Sequence, residues 1–334
     1  MLTTDGKLCK IRLIKSMKET GFMRHYESHP LAIRIRSRLL GTLAEPFCIC
    51  AADEVTSTNT VLKEYAAAAV TDGRPIHPTV LLARKQTGGR GRLGRSFHSP
   101  DGTGLYMSVL LAPTLPPAES LCLTTAAAAA CAESADAIRQ SAGFPTYNKI
   151  GIKWVNDLYL DGKKVCGILA EAALTPAMDA LSWAVIGIGI NLLPPTDGFP
   201  DDLSRIAGTL FPADHPIVTD VVLSELCADI VCRLVSYLEP GKKTDVLAVY
   251  RQRSVLDGRE VLVRPAGSLG GDEIPATVCG IDDQFGLIVR YEDGQKAVLS
   301  SGEVVMCEDG GISAAQTSRA SVHLSCPVKI TVCG

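Results

Sequence analysis

Two apolar runs, Thr79-Val-Leu-Leu-Ala83 and Thr103-Gly-Leu-Tyr-Met-Ser-Val-Leu-Leu111, bracket the segment Gly88-Gly89-Arg90-Gly91-Arg92-Leu93-Gly94-Arg95. Each run reads as a buried strand, so the segment between them is a loop held at both ends by a sheet. Its four glycines let backbone approach a ligand closely, and its three arginines offer forked donors for phosphate or carboxylate. A Walker phosphate loop would end in Gly-Lys-Ser/Thr, and a dinucleotide fingerprint would open an amphipathic helix; neither follows here. The pattern predicts a loop that orders as it closes over an anionic intermediate. The plainer alternative is an Arg-Gly surface loop that touches RNA. A net charge of −3, a pI near 6.1 and the lack of interleaved aromatics speak against it.

The rest of the chain fills in an α+β protein. Residues 1–42 carry nine Lys/Arg against three Asp/Glu and read as a basic extension with one leading helix, Leu31–Leu40, closed by Gly41. A short strand is expected over Pro46–Ala51, and a helix starting at Ser57-Thr58-Asn59 and running to Val70. Leu121–Arg139, rich in alanine, reads as a closely packed helix. Strands are expected over Ile150–Leu160, Lys164–Ala172 and Trp183–Leu192, and helices over Leu203–Thr209 and Val221–Leu238. After Asp257 the pattern shortens to alternating strands at 260–264, 274–281, 286–291 and 296–299. Asp257-Gly258 and Asp293-Gly294 mark turns, the second a hairpin. The division predicted is 1–42, 43–255, a small β-barrel at 256–308, and a loose tail at 309–334.

No apolar run reaches membrane-spanning length and no signal-peptide core precedes the first strand, so a cytoplasmic protein with no membrane partner is expected. Twelve cysteines are scattered from Cys9 to Cys333 without a CxxC pair, the closest being Cys48/Cys50 and Cys227/Cys232. His25 and His29 have helical spacing but no accompanying ligands, so no metal site is expected there.

The densest chemistry lies in Ile152-Lys-Trp-Val-Asn-Asp157-Leu-Tyr-Leu160-Asp-Gly162-Lys163-Lys164-Val-Cys-Gly167. A hairpin turn at Asp161-Gly162 pairs Leu160 with Lys163, Tyr159 with Lys164 and, in unbroken register, Asp157 with Cys166. Lys153, Asp157, Tyr159, Lys164 and Cys166 then share one face, and two cations with a carboxylate on an apolar strand pair are costly outside a polar site. Gly167 marks a close approach of ligand or backbone. In Val185-Ile-Gly187-Ile-Gly189-Ile-Asn191 the alternating glycines leave a strand face bare for a flat ligand, with Asn191 at its end to meet a ring edge.

Together these segments resemble the biotin protein ligase family, in its monofunctional form, over about Leu39 to Glu308. The carriers are Ser57-Thr-Asn59, Gln86-Thr-Gly-Gly-Arg90-Gly-Arg92-Leu-Gly-Arg95, Lys153-Trp-Val-Asn-Asp157 with Lys164 and Gly167, Gly187-Ile-Gly-Ile-Asn191 and Ser301-Gly-Glu-Val304. Val155 stands where the family usually has proline, and Phe97 where it usually has tryptophan; both lie beside the polar cluster. Residues 1–42 are too short for the winged helix-turn-helix of members that also repress transcription.

The resemblance implies a mixed-sheet catalytic domain, like that of class II aminoacyl-tRNA synthetases, followed by an SH3-like barrel. It implies activation of biotin by ATP, with magnesium, to an acyl-adenylate, and transfer to a lysine of a biotin carboxyl carrier domain. Ser57, Thr58, Asn59, Gln86, Arg90, Gly91, Arg92, Lys164, Gly167 and Gly187 are then expected at biotin. Arg90, Arg92, Arg95, Lys153, Asn156 and Asn191 are expected at ATP. Arg92 and Lys164 would bind charge developing in the transition state, and Asp157 would accept or orient the proton of the acceptor amine. No nucleic-acid partner is expected, and a homodimer is left open. The rival enzymes are a lipoate–protein ligase, which would carry a different arginine/glycine motif, and a ligase that also represses transcription.

Overall fold

The computed structural model describes residues 22–43, 46–145, 147–216, 219–264 and 273–306. Residues 1–21 of the basic extension and the predicted tail at 309–334 lie outside the described residues. Two helices open the described chain, α1 (Phe22–Glu27) and α2 (Pro30–Leu39). The strands β1 (Cys48–Val55), β2 (Thr79–Gln86) and β3 (Gly104–Leu111) follow, with α3 (Thr58–Thr71) between β1 and β2. Then come α4 (Leu121–Ser141), β4 (Gly151–Lys153), β5 (Asp157–Leu160), β6 (Lys163–Leu174) and β7 (Leu181–Asn191). These seven strands form one sheet in the order β1-β2-β3-β7-β6-β5-β4, parallel only between β1 and β2.

Side-chain alternation assigns the two faces different work. Ile49 and Ala51, Val80 and Leu82, Leu105 and Met107, and Ile186, Ile188 and Ile190 point to one face, which is dry. That face is covered by α2, α4 and α6 (Asp220–Tyr237). The run Ala126–Ala130 is wholly buried, which lets α4 sit close to both α6 and the sheet. The opposite face is roofed only in part. There α3 sets Val61, Leu62 and Ala66 against Leu81, Ala83, Leu110 and Val185, leaving the β7-β6-β5-β4 half to polar side chains. The stretch Pro117–Ser141 is long and apolar enough to cross a membrane by length and composition, contrary to the sequence expectation. Its buried alanines belong to the core of this protein.

A last helix, α7 (Lys243–Gln252), leads into five antiparallel strands: β8 (Glu260–Arg264), β9 (Ile274–Ile281), β10 (Leu287–Tyr291), β11 (Lys296–Leu299) and β12 (Glu303–Met306). Their order is β11-β10-β9-β8-β12. Val261, Val263, Val278, Phe285 and Leu287 join the same apolar cluster as the large sheet's dry face. The indole of Trp154 donates to the Phe285 carbonyl at 2.8 Å, fastening the small sheet to the β4 end of the large one.

Four expectations are corrected. Ile150–Leu160 is not one strand: residues 154–156 turn, and β4 folds back on β5 with Lys153 opposite Asp157. Leu203–Thr209 is not one helix; a single turn, α5 (Asp201–Ser204), precedes a bridge between Ala207 and Lys164. The early strand runs Cys48–Val55, later than Pro46–Ala51, because its pairing with β2 starts at Cys48–Thr79. His25 and His29 do not share a helix: His29 caps α2, its Nδ1 accepting from the Leu31 amide at 3.2 Å.

Candidate active site

The β5–β6 hairpin departs from unbroken register. Tyr159 pairs with Lys164 and Leu160 with Lys163, as expected, but Leu158 pairs with Cys166 and Asp157 with Gly167. Val165 is the extra residue of a bulge, so Val165 and Cys166, adjacent in sequence, are both buried in the dry core. Cys166 therefore leaves the polar face, and Asp157, Lys164 and Gly167 stay on it. The Lys164 Nζ stands 2.8 Å from Asp157 Oδ1, an ion pair across the hairpin. The approach is off the hydrogen-bond direction, so Oδ1 is buried without a well-directed donor. Lys153 comes in from β4 with its ammonium 5.7 Å from the centre of the Tyr159 ring. Burial lowers the Lys153 pKa and the Lys164 charge lowers it further, against the pull of Asp157.

The glycine/arginine loop is folded against this face. Phe97 donates its amide to Gly89 O at 2.9 Å and Gly91 donates to Arg95 O at 2.7 Å, closing the loop on itself. Leu93, at its tip, has φ of 56° and is 73% exposed. Arg92 donates to Asn156 Oδ1 and to the Gly302 carbonyl, both at 2.9 Å. Arg95 pairs with Glu303 at 2.5 Å, and Glu303 also faces Arg264. The loop is thus latched to the small sheet by two arginines.

The bare face expected on β7 is covered by the chain itself. A side chain at Gly187 would land on the Asn59 amide, and one at Gly189 would meet the Phe97 ring at 2.6 Å. Gly167 lies under the same ring, with the Lys164 ammonium also at its edge. Phe97 therefore lies on the site face, which corrects the expectation that it stands beside the polar cluster.

Asn59 is 4% exposed and fully engaged. Its Oδ1 accepts from Ser108 Oγ at 2.6 Å, and its Nδ2 donates to Leu169 O at 3.2 Å and Glu171 Oε2 at 3.0 Å. Glu171 also holds Lys63 at 2.6 Å and Arg90 at 3.2 Å. Gln86 Oε1 accepts from the Thr58 amide at 2.9 Å, and its Nε2 donates to Ser99 Oγ at 3.0 Å. Asn191 donates to the Gly208 carbonyl at 3.1 Å.

All fifteen residues expected at biotin, ATP or the reacting atoms line one cavity, with an empty volume of about 1300 Å³ including its open mouth. Sequence reasoning missed Glu171, Ser108 and Trp154. Glu171 is four residues after Gly167, on the same face of β6, so strand alternation alone puts it there.

A mixed sheet carries a cationic loop folded over a glycine-floored cleft, the arrangement that the sequence resemblance implies for a carboxylate-activating ligase. A family model described as Biotin/lipoate A/B protein ligase family matches residues 52–191. The bifunctional ligase/repressor BirA of Bacillus spizizenii is 32% identical over 251 residues, covering 75% of this chain and 71% of that protein. The biotin–[acetyl-CoA-carboxylase] ligase of Mycobacterium tuberculosis is 30% identical over 250 residues, covering 75% and 85%. The chain belongs to the biotin protein ligase family. A biotin protein ligase from Aquifex aeolicus in complex with biotin and ATP superposes with a TM-score of 0.57 at 27% identity. It covers 79% of this chain and all of that one. The relatives include both ligases and ligase/repressors.

Proposed function

We propose that this chain is a biotin–protein ligase, which activates biotin with ATP to biotinyl-5′-AMP and transfers the biotinyl group to a lysine of a carboxyl carrier domain. The observation that carries the reading is the meeting of Arg92, Lys164 and Asp157 with the glycines of β6 and β7 in one cavity.

In the first step a biotin carboxylate oxygen attacks the α-phosphorus, and the bond to the β-phosphate breaks to release pyrophosphate. Two anions must approach, so the site has to supply positive charge before they arrive. Lys164 and Arg92 supply it at the reacting atoms, while Arg90, Arg95 and Lys153 hold phosphates. Asp157 keeps the Lys164 ammonium in place at 2.8 Å. In the second step the acceptor amine attacks the acyl carbon, the bond to the phosphate oxygen breaks, and AMP leaves. The incoming lysine must lose a proton from a group whose ordinary pKa is about 10.4, and Asp157 is the carboxylate placed to orient or accept it. The folded loop excludes water from the adenylate, which would otherwise hydrolyse.

The carboxylates around the cavity offer no resident magnesium site. Asp157 faces Lys164, Glu303 faces Arg95 and Arg264, and Glu171 faces Lys63 and Arg90. Magnesium enters this reading only as part of the nucleotide substrate, on its phosphates.

The same reading divides the chain into a catalytic unit at 43–255 and a small barrel at 256–308, and places the enzyme in the cytoplasm. The eight cysteines in the described residues are all free, which suits a reducing compartment. The type is decided by DNA binding measured as a function of salt, and the site does not bear on it. The direct test is incubation of the pure protein with biotin, ATP and a carrier domain bearing its acceptor lysine. A mass increase of one biotinyl group on that lysine is expected. Modification of that lysine only when lipoate is supplied in place of biotin would change the substrate, and no modification by folded protein with either acid would overturn the reading.

A further inference from the structure

Far from the cleft, where α1 packs on the edge strand β1, three donor atoms converge. Cys48 and Cys50 alternate on β1 toward the same side, and the last residue of α1, Glu27, comes down on them. Glu27 Oε1, Cys48 Sγ and Cys50 Sγ all lie within 4.8 Å of one another. The two sulfurs are 3.7 Å apart, and Cys48 Sγ is 3.1 Å from Glu27 Oε1. The site face of the catalytic reaction uses none of these groups.

We infer that Glu27, Cys48 and Cys50 form a binding site for a thiophilic divalent cation, zinc being the ion whose chemistry fits best. In a tetrahedral zinc site with Zn–S near 2.3 Å, two thiolates stand about 3.8 Å apart, and a thiolate and a carboxylate oxygen about 3.5 Å. The sulfurs already have that separation, and the carboxylate oxygen, 3.1 Å from Cys48 Sγ and within 4.8 Å of Cys50 Sγ, has to shift to share one ion with both. The donor set of two soft sulfurs and one oxygen selects zinc over magnesium or calcium, which take oxygen ligands. Three protein ligands leave the fourth position to water, and the Met23 carbonyl, 3.9 Å from Cys50 Sγ, lines the same side.

The two elements that carry the ligands are tied to each other. Arg36 donates to the Ile49 carbonyl at 3.2 Å and to the Glu27 carbonyl at 3.4 Å, so one guanidinium ties the carboxylate's helix to the thiols' strand. Cys50 is buried, whereas Cys48 and Glu27 are half-exposed and give an ion its way in. Binding exchanges two thiol protons, released to solvent, for one divalent cation, so the local charge is unchanged and nothing is oxidised. The ion would pin α1 to β1 at the edge of the large sheet, far from the reacting groups.

The test uses the full chain, reduced and freed of metal by a chelator, then given zinc or cadmium alone. The expected result is one zinc per chain by elemental analysis after gel filtration, and a thiolate-to-cadmium absorption band of two-thiolate intensity. Cys48→Ser and Cys50→Ala each halve the band. Glu27→Gln, a change at the half-exposed end of α1 that leaves the core intact, keeps the band. It should weaken zinc by more than the roughly 10–100-fold typical of losing an outer-shell partner. Less than one equivalent bound above buffer overturns the proposal. So does retention of metal and band in the Cys48→Ser/Cys50→Ala double variant, which would put the ion on other cysteines. An unchanged zinc affinity in Glu27→Gln would remove the carboxylate from the site.

Discussion

Gly187→Ala is the sharpest perturbation of the cleft floor. The new methyl group would fall on the Asn59 amide, in a spot closed by β7 beneath and α3 above. Asn59 cannot step aside freely, because Ser108, Leu169 and Glu171 each hold it by a hydrogen bond, the last to a carboxylate. Overpacking of this kind costs about 1–3 kcal/mol if the amide stays put and the strand shifts. If the amide rotates away, it gives up two neutral bonds of about 1 kcal/mol each and one charge-assisted bond of about 2 kcal/mol, partly regained from water. The two routes bracket a loss of about 1–4 kcal/mol, or roughly 2–16 °C in melting temperature for a domain of this size. Because Asn59 also lines the cavity, biotin should bind more weakly in the same variant. The assay is thermal unfolding with a biotin titration on Gly187→Ala, Asn59→Ala and the double variant. The argument requires strong non-additivity, since Asn59→Ala removes the group the methyl group strikes. Equal melting of Gly187→Ala and parent, or simple additivity in the double variant, would refute the contact.

Three further outcomes follow from the same geometry. Arg92→Ala loses both the Asn156 and Gly302 bonds, so pyrophosphate release should fall by about 10²-fold or more, as for other transition-state charge donors. Stopped assays should also show adenylate leaking to hydrolysis. Glu171→Gln keeps the shape but removes the charge that holds Lys63 and Arg90. It should raise the biotin KM well before it lowers kcat, and equal losses in both would argue against a positioning role. Burial works to raise the pKa of Glu303, but Arg95 and then Arg264 outweigh it and hold the group below its ordinary value. Its contribution to stability is therefore present above the unfolded value near 4.5 and is lost as pH falls through the depressed folded value. Glu303→Gln should melt below the parent at neutral pH, and the gap should close on acidification; a gap independent of pH would contradict this linkage.

Much of the cleft is legible in the chain because its chemistry is local. The glycine/arginine loop announces itself between two strands, and the Asp161-Gly162 turn fixes the first two pairs of the β5–β6 hairpin. Register beyond the turn is not legible, because the bulge at Val165 depends on a core that accepts two successive apolar side chains, Val165 and Cys166. The break of β4 from β5 escapes for a similar reason. Residues 150–160 alternate well enough for one strand, and it is the packing of Trp154 and Val155 into the core that folds the segment back. The covering of Gly187 by Asn59 and of Gly189 by Phe97 joins residues more than eighty positions apart, which no local pattern encodes. Helix α7 was missed because only Val246, Leu247 and Tyr250 of it are buried, too few to set a clear period.

The central claim is that the cleft makes a biotinyl-adenylate with Lys164 at the reacting atoms. Pyrophosphate release from ATP by the pure protein, with biotin, lipoate or no acid, tests it most directly when the parent is set beside Lys164→Ala. The account predicts release that depends on biotin and falls by two orders of magnitude or more in the variant, as loss of a transition-state charge donor implies. Release that is independent of biotin, or undiminished in Lys164→Ala, would contradict it.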